Sequence, residues 1–178
     1  MYHIKQDKRA RESAELICSA VLQLMEEKPF SRITVSDIHR VSTVSRSTFY
    51  RNFDQIEDVL ELLCDRGFEQ VFSEPEEAGI PLAVFRYWSD HSVILEALVS
   101  IHRADILHAS FRRSAARLKG LSKTVVDPRQ YDYFVSINTS IMIGILFTWV
   151  EHGKCEPREE VLELVKHAFS SMTWLHAP

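Results

Sequence analysis

The sequence predicts an all-helical chain, and three observations carry that expectation. Apolar residues recur at three- and four-residue steps along most of the 178 positions, the five glycines and six prolines are few, and alternating apolar and polar runs between turn residues are largely missing. With 46% apolar and 26% charged residues the chain has the makings of a core, so general disorder is not expected. About nine helices are expected.

Each helix has its own justification. Over 8–28, Ala14, Ile17, Cys18, Val21, Leu24 and Met25 share one helical face, and Pro29 ends the run. Thr34, with Asp37 three residues on, reads as an N-cap and its acid partner, so a second helix runs to about Val41. Ser42, Thr43 and Val44 form a short connector, and Ser45 caps a third helix over 46–52. Asp54 and Glu57 repeat the cap-and-acid signal ahead of a long fourth helix, 54–73, whose apolar face is Ile56, Val59, Leu60, Leu63, Phe68, Val71 and Phe72. The stretch 73–81, with two prolines, a glycine and three glutamates, is the expected linker. Helical patterns resume over 82–89, 92–101 and 103–119, and 120–127 reads as a loop. Asp127 and Pro128 then open a long helix that runs to about His152 and is closed by Gly153. Pro157 opens the last helix, where Val161, Leu164, Val165, Ala168, Met172 and Leu175 form one stripe.

Charge and composition narrow the function classes. The net charge of −4 divides unevenly: residues 1–53 hold nine Lys and Arg against six Asp and Glu, or +3, leaving twelve against nineteen, or −7, for the rest. A polyanionic partner is therefore expected at the N-terminal third. Cys18, Cys64 and Cys155 are odd in number and widely spaced, which suits neither a disulfide framework nor a paired zinc module. Their pattern, and the polar, basic start of the chain, are those of a cytoplasmic protein. No GxSxG, HExxH or phosphate-cradling glycine loop is present, so no enzyme and no cofactor are expected. His102, Asp105 and His108 step by three, which carries them around a helix, so no metal is expected either.

The run from Ile33 to Phe53 is the most informative stretch. Val35, Ile38, Val44, Phe49 and Phe53 can form a small core under two helices, leaving Arg46, Ser47, Thr48, Tyr50 and Arg51 near the exposed start of the second. In a helix-turn-helix, those positions enter the major groove of DNA, where hydroxyls and arginine reach base edges. The run resembles the signature of the tetracycline-repressor (TetR) family: a Thr-Val-x-Asp-Ile helix, then Val-Ser-Arg-x-Thr-Phe-Tyr-x-x-Phe and an acidic helix start. The resemblance covers about residues 8–63. It implies that Thr34, Ser45 and Tyr50 contact phosphates, that Arg46, Ser47 and Thr48 face bases with Arg51 beside them, and that Lys5, Lys8 and Arg9 approach the DNA backbone or minor groove. It also implies a helix-turn-helix domain over 1–53, a ligand-binding and dimerisation domain over 54–178, and helix four, 54–73, connecting them.

Four positions depart from the family pattern: His39 stands where alanine is usual, Thr43 where glycine is usual, Ser47 where a small residue is usual, and Ile56 where lysine is usual. His39 and Thr43 are expected to alter the angle between the two helices, and Ile56 removes a phosphate contact. His39, Thr43 and Ile56 motivate the alternative of a coactivator or effector-sensing protein that keeps the fold without binding DNA directly.

The remainder of the chain suits the family's effector pocket and dimer bundle. The segment 133–150, followed by a Gly-Lys turn, resembles the last helix pair of a TetR subgroup. Phe134 to Val150 is apolar nearly all round, the barest length for a membrane span, but Ser136, Asn138, Thr139 and Ser140 interrupt it, so a helix between a pocket and a partner subunit is expected instead. Phe85, Trp88, His91, His108, Phe111, Phe134, Asn138 and Met142, with Tyr87, Tyr131 and Trp149, are candidates to line an effector pocket; ordinary core packing is the competing explanation. The expected partners are double-stranded DNA with a palindromic operator, a second copy of the chain through the 161–175 stripe, and a small apolar or aromatic effector that relieves repression.

Overall fold

The computed structural model describes residues 1–73, 80–117 and 128–171. Among them stand nine α-helices and no strand: α1 (Lys8–Glu27), α2 (Val35–Ser42), α3 (Arg46–Asn52), α4 (Glu57–Ser73), α5 (Ile80–Asp90), α6 (Ser92–Ser100), α7 (Ala104–Arg117), α8 (Pro128–Glu151) and α9 (Arg158–Ser171), with a single 3-10 turn at Phe30–Arg32. The loop expected over 120–127 and most of the linker expected over 73–81 lie outside the described residues.

Local chemistry sets the helix starts. The Asp7 carboxylate accepts the Ala10 amide at 2.8 Å and caps α1, and Thr34 with Asp37 forms a reciprocal capping box at the start of α2. Helix α4 differs from expectation, beginning at Glu57 rather than Asp54. The Asp58 carboxylate, in the first turn, reaches back to accept the Asp54 and Gln55 N–H groups at 2.9 and 3.0 Å and so fixes the turn that leads into the helix. Helix α5 begins at Ile80, inside the expected linker. Pro81 falls in its first turn, where an amide has no intrahelical partner to lose.

Helix α1 is central: it touches α2, α3, α4 and α6, while α4 lies along α7 and α8 packs on α5, α6 and α7. One continuous apolar core results. It extends from Ile38, Phe49 and Phe53 under α2 and α3, through Ile17 and Val21 of α1, to Phe68, Trp88, Leu107 and Leu146. Gly67 permits the closest approach in this core, since a Cβ there would stand 2.8–2.9 Å from the rings of Tyr87 and Trp88.

Residues Gln130–Glu151 are long and apolar enough to cross a membrane by length and composition. In this fold Thr139, Met142, Ile143, Leu146 and Trp149 turn inward, whereas Tyr133 and Ile137 are 75% and 46% exposed and Gly144 faces open space. Gly153 (φ +71°) closes α8 in the left-handed region. The ion pairs Lys154–Glu96 and Arg158–Asp90 then tie the start of α9 to α6 and α5. The stripe on α9 divides: Val161 and Val165 are buried within the subunit, and Leu164 is 58% exposed. The side chain of Ala168, and Met172 and Leu175 altogether, lie outside the described residues.

Candidate nucleic-acid interface

Helices α2 and α3 meet at a turn built from short-range hydrogen bonds. Thr43 adopts φ 61°, ψ 0°, the left-handed conformation that favours glycine, and its amide donates to His39 O at 2.9 Å. Ser42 Oγ donates to Ile38 O at 2.7 Å and accepts the Val44 amide at 3.1 Å. His39 Nδ1 lies 2.8 Å from Val44 O, and because a carbonyl only accepts, the ring donates. The two departures His39 and Thr43 thus compensate: a β-branched residue strains the turn, and the imidazole three to five residues away clamps it. Thr43→Gly is expected to stabilise the chain by about 1 kcal/mol by removing the left-handed penalty, and His39→Ala to destabilise it by roughly 0.5–1.5 kcal/mol through the lost bond. Urea unfolding of both variants checks the pair of opposite signs.

Helix α3 follows. Ser45 caps it, accepting the Thr48 amide at 3.2 Å, and its hydroxyl stands 3.0 Å from Ser47 Oγ and 2.9 Å from Thr48 Oγ1. Phe49 is buried and anchors the helix, with Tyr50 edge-on to it at 5.4 Å. Arg46, Ser47, Tyr50 and Arg51 are all exposed; at spacings of one and four residues they make a single outward face. Thr48 is half-buried and turns toward the chain start. There it lines, with Arg51 and Asn52, a cleft of about 660 Å³ whose other wall is Lys5, Asp7, Lys8, Arg9, Ala10 and Ser13. The structure therefore gathers the basic residues before and at the start of α1 against the end of α3, a groove suited to a phosphate backbone.

One expected phosphate contact, Thr34, is already engaged within the chain. The Thr34 hydroxyl donates to Asp37 at 2.6 Å, and Lys28 Nζ sits 2.6 Å from the same carboxylate. Lys28, followed by the Thr34 hydroxyl and amide, holds the Asp37 carboxyl well below the usual range. Ile56, where the family pattern has lysine, is half-buried and packs on the core.

The expected effector residues do not share one cavity. Phe85, Trp88, Phe111 and Met142 are buried in the core, and Phe68 bridges Trp88 and Phe111 with ring centroids 5.1 and 5.3 Å away. His91 is exposed, stacks on Tyr87 at 4.1 Å and bonds Tyr87 O. Tyr131 donates to Ala115 O, and Trp149 Nε1 to Glu156 O. Asn138 is half-buried on α8, and the side chain of Phe134 lies outside the described residues. His108 instead faces a different space, an open cleft of about 580 Å³ between α7 and α8, with Asp105, Ala109, Arg112, Ser136, Thr139 and Ser140. Burial, with Arg112 nearby, lowers the His108 pKa. That polar cleft was not legible in the sequence, because α7 and α8 are brought together only by the fold. Among the described residues, the buried Trp88 Nε1 of the aromatic core meets no hydrogen-bond partner. Among the described residues no three His, Cys, Asp or Glu are grouped to hold a metal. Burial pushes the Cys18 thiol up to about 12 and raises that of Cys64, which keeps both protonated.

No family model matches the chain. It is 25% identical, over 184 residues, to the uncharacterized HTH-type transcriptional regulator YxbF of Bacillus subtilis (strain 168), an alignment covering 86% of this chain and 43% of that protein. The chain thus spans less than half the length of the curated relative it matches. Its fold is similar to the crystal structure of Lin0861 from Listeria innocua, with a TM-score of 0.72 and 16% identity over 96% of both chains. The chain is therefore similar, in sequence, to a protein named as a helix-turn-helix regulator, and it shares its all-helical fold with a second bacterial protein over nearly its whole length.

Proposed function

We propose that this chain is a DNA-binding transcriptional regulator of the tetracycline-repressor type, with residues 1–53 as the DNA-binding domain and 54–178 as the effector and dimerisation domain. The observation that carries the reading is the exposed Arg46, Ser47, Tyr50 and Arg51 face of α3 beside a cleft lined by Lys5, Lys8 and Arg9. Arg46 and Ser47 address bases, while Ser45, Tyr50 and the basic cleft that Thr48 lines address phosphates. Similarity to a helix-turn-helix regulator supports this reading.

Two copies would join through the outer faces of α8 and α9, setting two α3 helices roughly 34–36 Å apart for successive major grooves of a palindromic operator. The regulator works in the cytoplasm, without enzymatic activity, as a repressor relieved by a small apolar or aromatic effector held among helices α4 to α8.

Pull-down of genomic fragments followed by sequencing tests the central reading: a recovered palindrome is expected, and random fragments overturn it. With the operator in hand, Arg46→Ala is expected to cost about 1–3 kcal/mol and to relax preference at one position, whereas Tyr50→Phe weakens operator and scrambled duplexes alike. Equal losses on both duplexes from Arg46→Ala would make that residue a phosphate contact.

A further inference from the structure

Asp65 is a carboxylate in the middle of α4 that is only 7% exposed, and donors from two distant parts of the chain converge on it. Tyr2 OH donates to Oδ2 at 2.6 Å. On Oδ1 fall the Ser110 hydroxyl at 2.5 Å and the Arg113 guanidinium at 2.8 and 3.2 Å, both from α7. Arg113 also pairs with Glu61 at 3.0 Å. A charge this deep in the fold persists only when paired and hydrogen-bonded, and all three partners are needed to compensate it. Burial and the adjacent carboxylate push the Tyr2 phenol upward, so it remains a donor.

The backbone beside Tyr2 points the same way. Tyr2 forms an antiparallel bridge with Phe53, and the His3 amide donates to Asn52 O at 2.9 Å. The arm thus lies along the end of α3 while the Tyr2 side chain reaches α4 and α7. Lys5 is three residues away, so the anchored ring confines it to within about 10 Å, the extended reach of three residues. Lys5 lines the same cleft as Thr48 and Arg51.

We propose that Tyr2 is a positioning residue for DNA binding, docked on the Asp65, Ser110 and Arg113 node so that Lys5 is held beside α3 and the arm is strapped to the α4–α7 pair. The inference rests on the DNA-binding reading. Released, the arm would have to be ordered anew at each encounter, and Lys5, no longer held beside α3, loses its phosphate contact, which lowers affinity.

Tyr2→Phe, which keeps the ring and removes the hydroxyl, is the main test. Hydrogen exchange of the His3 amide should accelerate at least about tenfold, affinity for the operator should fall about five- to tenfold, and the slope of log affinity against log salt should shrink by about 0.9, one phosphate contact. A merely structural role would leave that slope unchanged. Lys5→Ala should cost little further in the Tyr2→Phe background, and fully additive losses would overturn the proposal. Ser110→Ala, which alters α7 and not the arm, should also speed His3 exchange; no change there overturns the strap to α7. If Tyr2→Phe leaves His3 protected, the strap is wrong and the DNA reading survives. If the unaltered chain binds no duplex at all, the DNA reading and the role given to Tyr2 fall together, whatever His3 does.

Discussion

Phe68→Ala is expected to lower the unfolding free energy by about 3–5 kcal/mol, the range for removing a fully buried aromatic ring. Phe68 has no exposed surface and sits against Phe72, Trp88 and Phe111 at centroid distances of 6.1, 5.1 and 5.3 Å. The site cannot collapse easily, because Gly67 already admits the Tyr87 and Trp88 rings as close as α4 allows. At roughly 2–4 °C per kcal/mol for a chain of this size, the midpoint of thermal unfolding should drop by about 10 °C. Urea unfolding followed by helical circular dichroism measures it directly. A loss under about 1 kcal/mol would mean that the α4–α5–α7 aromatic cluster is looser than the ring geometry shows. It would also favour an effector cavity there over a packed core.

Converting the outer face of the α8–α9 pair to lysine, as Ile137→Lys with Leu164→Lys, should halve the mass seen by light scattering. Both side chains are substantially exposed in the single subunit, 46% and 58%, so neither replacement disturbs its core, and each should change subunit stability by no more than about 0.5 kcal/mol. In a dimer the same lysines would be buried unpaired. In the proposed dimer each subunit grips one half-site, so losing the pairing would remove the gain from simultaneous engagement, about a hundredfold or more in operator affinity. Unchanged mass would rule out this face. By contrast, Val161→Lys is unsuitable for the purpose, because Val161 is buried by its own subunit.

The division of the α9 stripe shows where sequence reading stops. Helical periodicity marks Val161, Leu164 and Val165 as apolar neighbours, but only the position of α5 decides that two of them pack within the subunit while the third does not. The same holds for the expected effector residues. Phe85, Trp88, Phe111 and Met142 are apolar and helical in any reading, and whether they surround a ligand or one another depends on how α4, α5, α7 and α8 are spaced. The start of α4 is a smaller instance: spacing marks Asp54 as the cap, but in the fold the Asp54 amide is itself held by Asp58 and the helix begins at Glu57.

What the sequence determined by itself is local. The limits of α1, α2 and α3, the capping box of Thr34 and Asp37, the Ser45 cap and the glycine that ends α8 all arise from hydrogen bonds spanning four residues or fewer and from a periodicity of 3.6, so neighbouring residues suffice to specify them. The outward face of α3 was legible for the same reason. Tertiary structure alone decided the rest: that Lys5, Lys8 and Arg9 meet Thr48 and Arg51 across one cleft, that His108 looks toward α8, and that Tyr2, Ser110 and Arg113 share the carboxylate of Asp65. Tyr2 and Asp65 are 63 residues apart, and no local pattern links them. Their pairing comes from the way α1 and α4 fold the arm back onto α7, where a buried charge required donors that only distant parts of the chain were placed to supply.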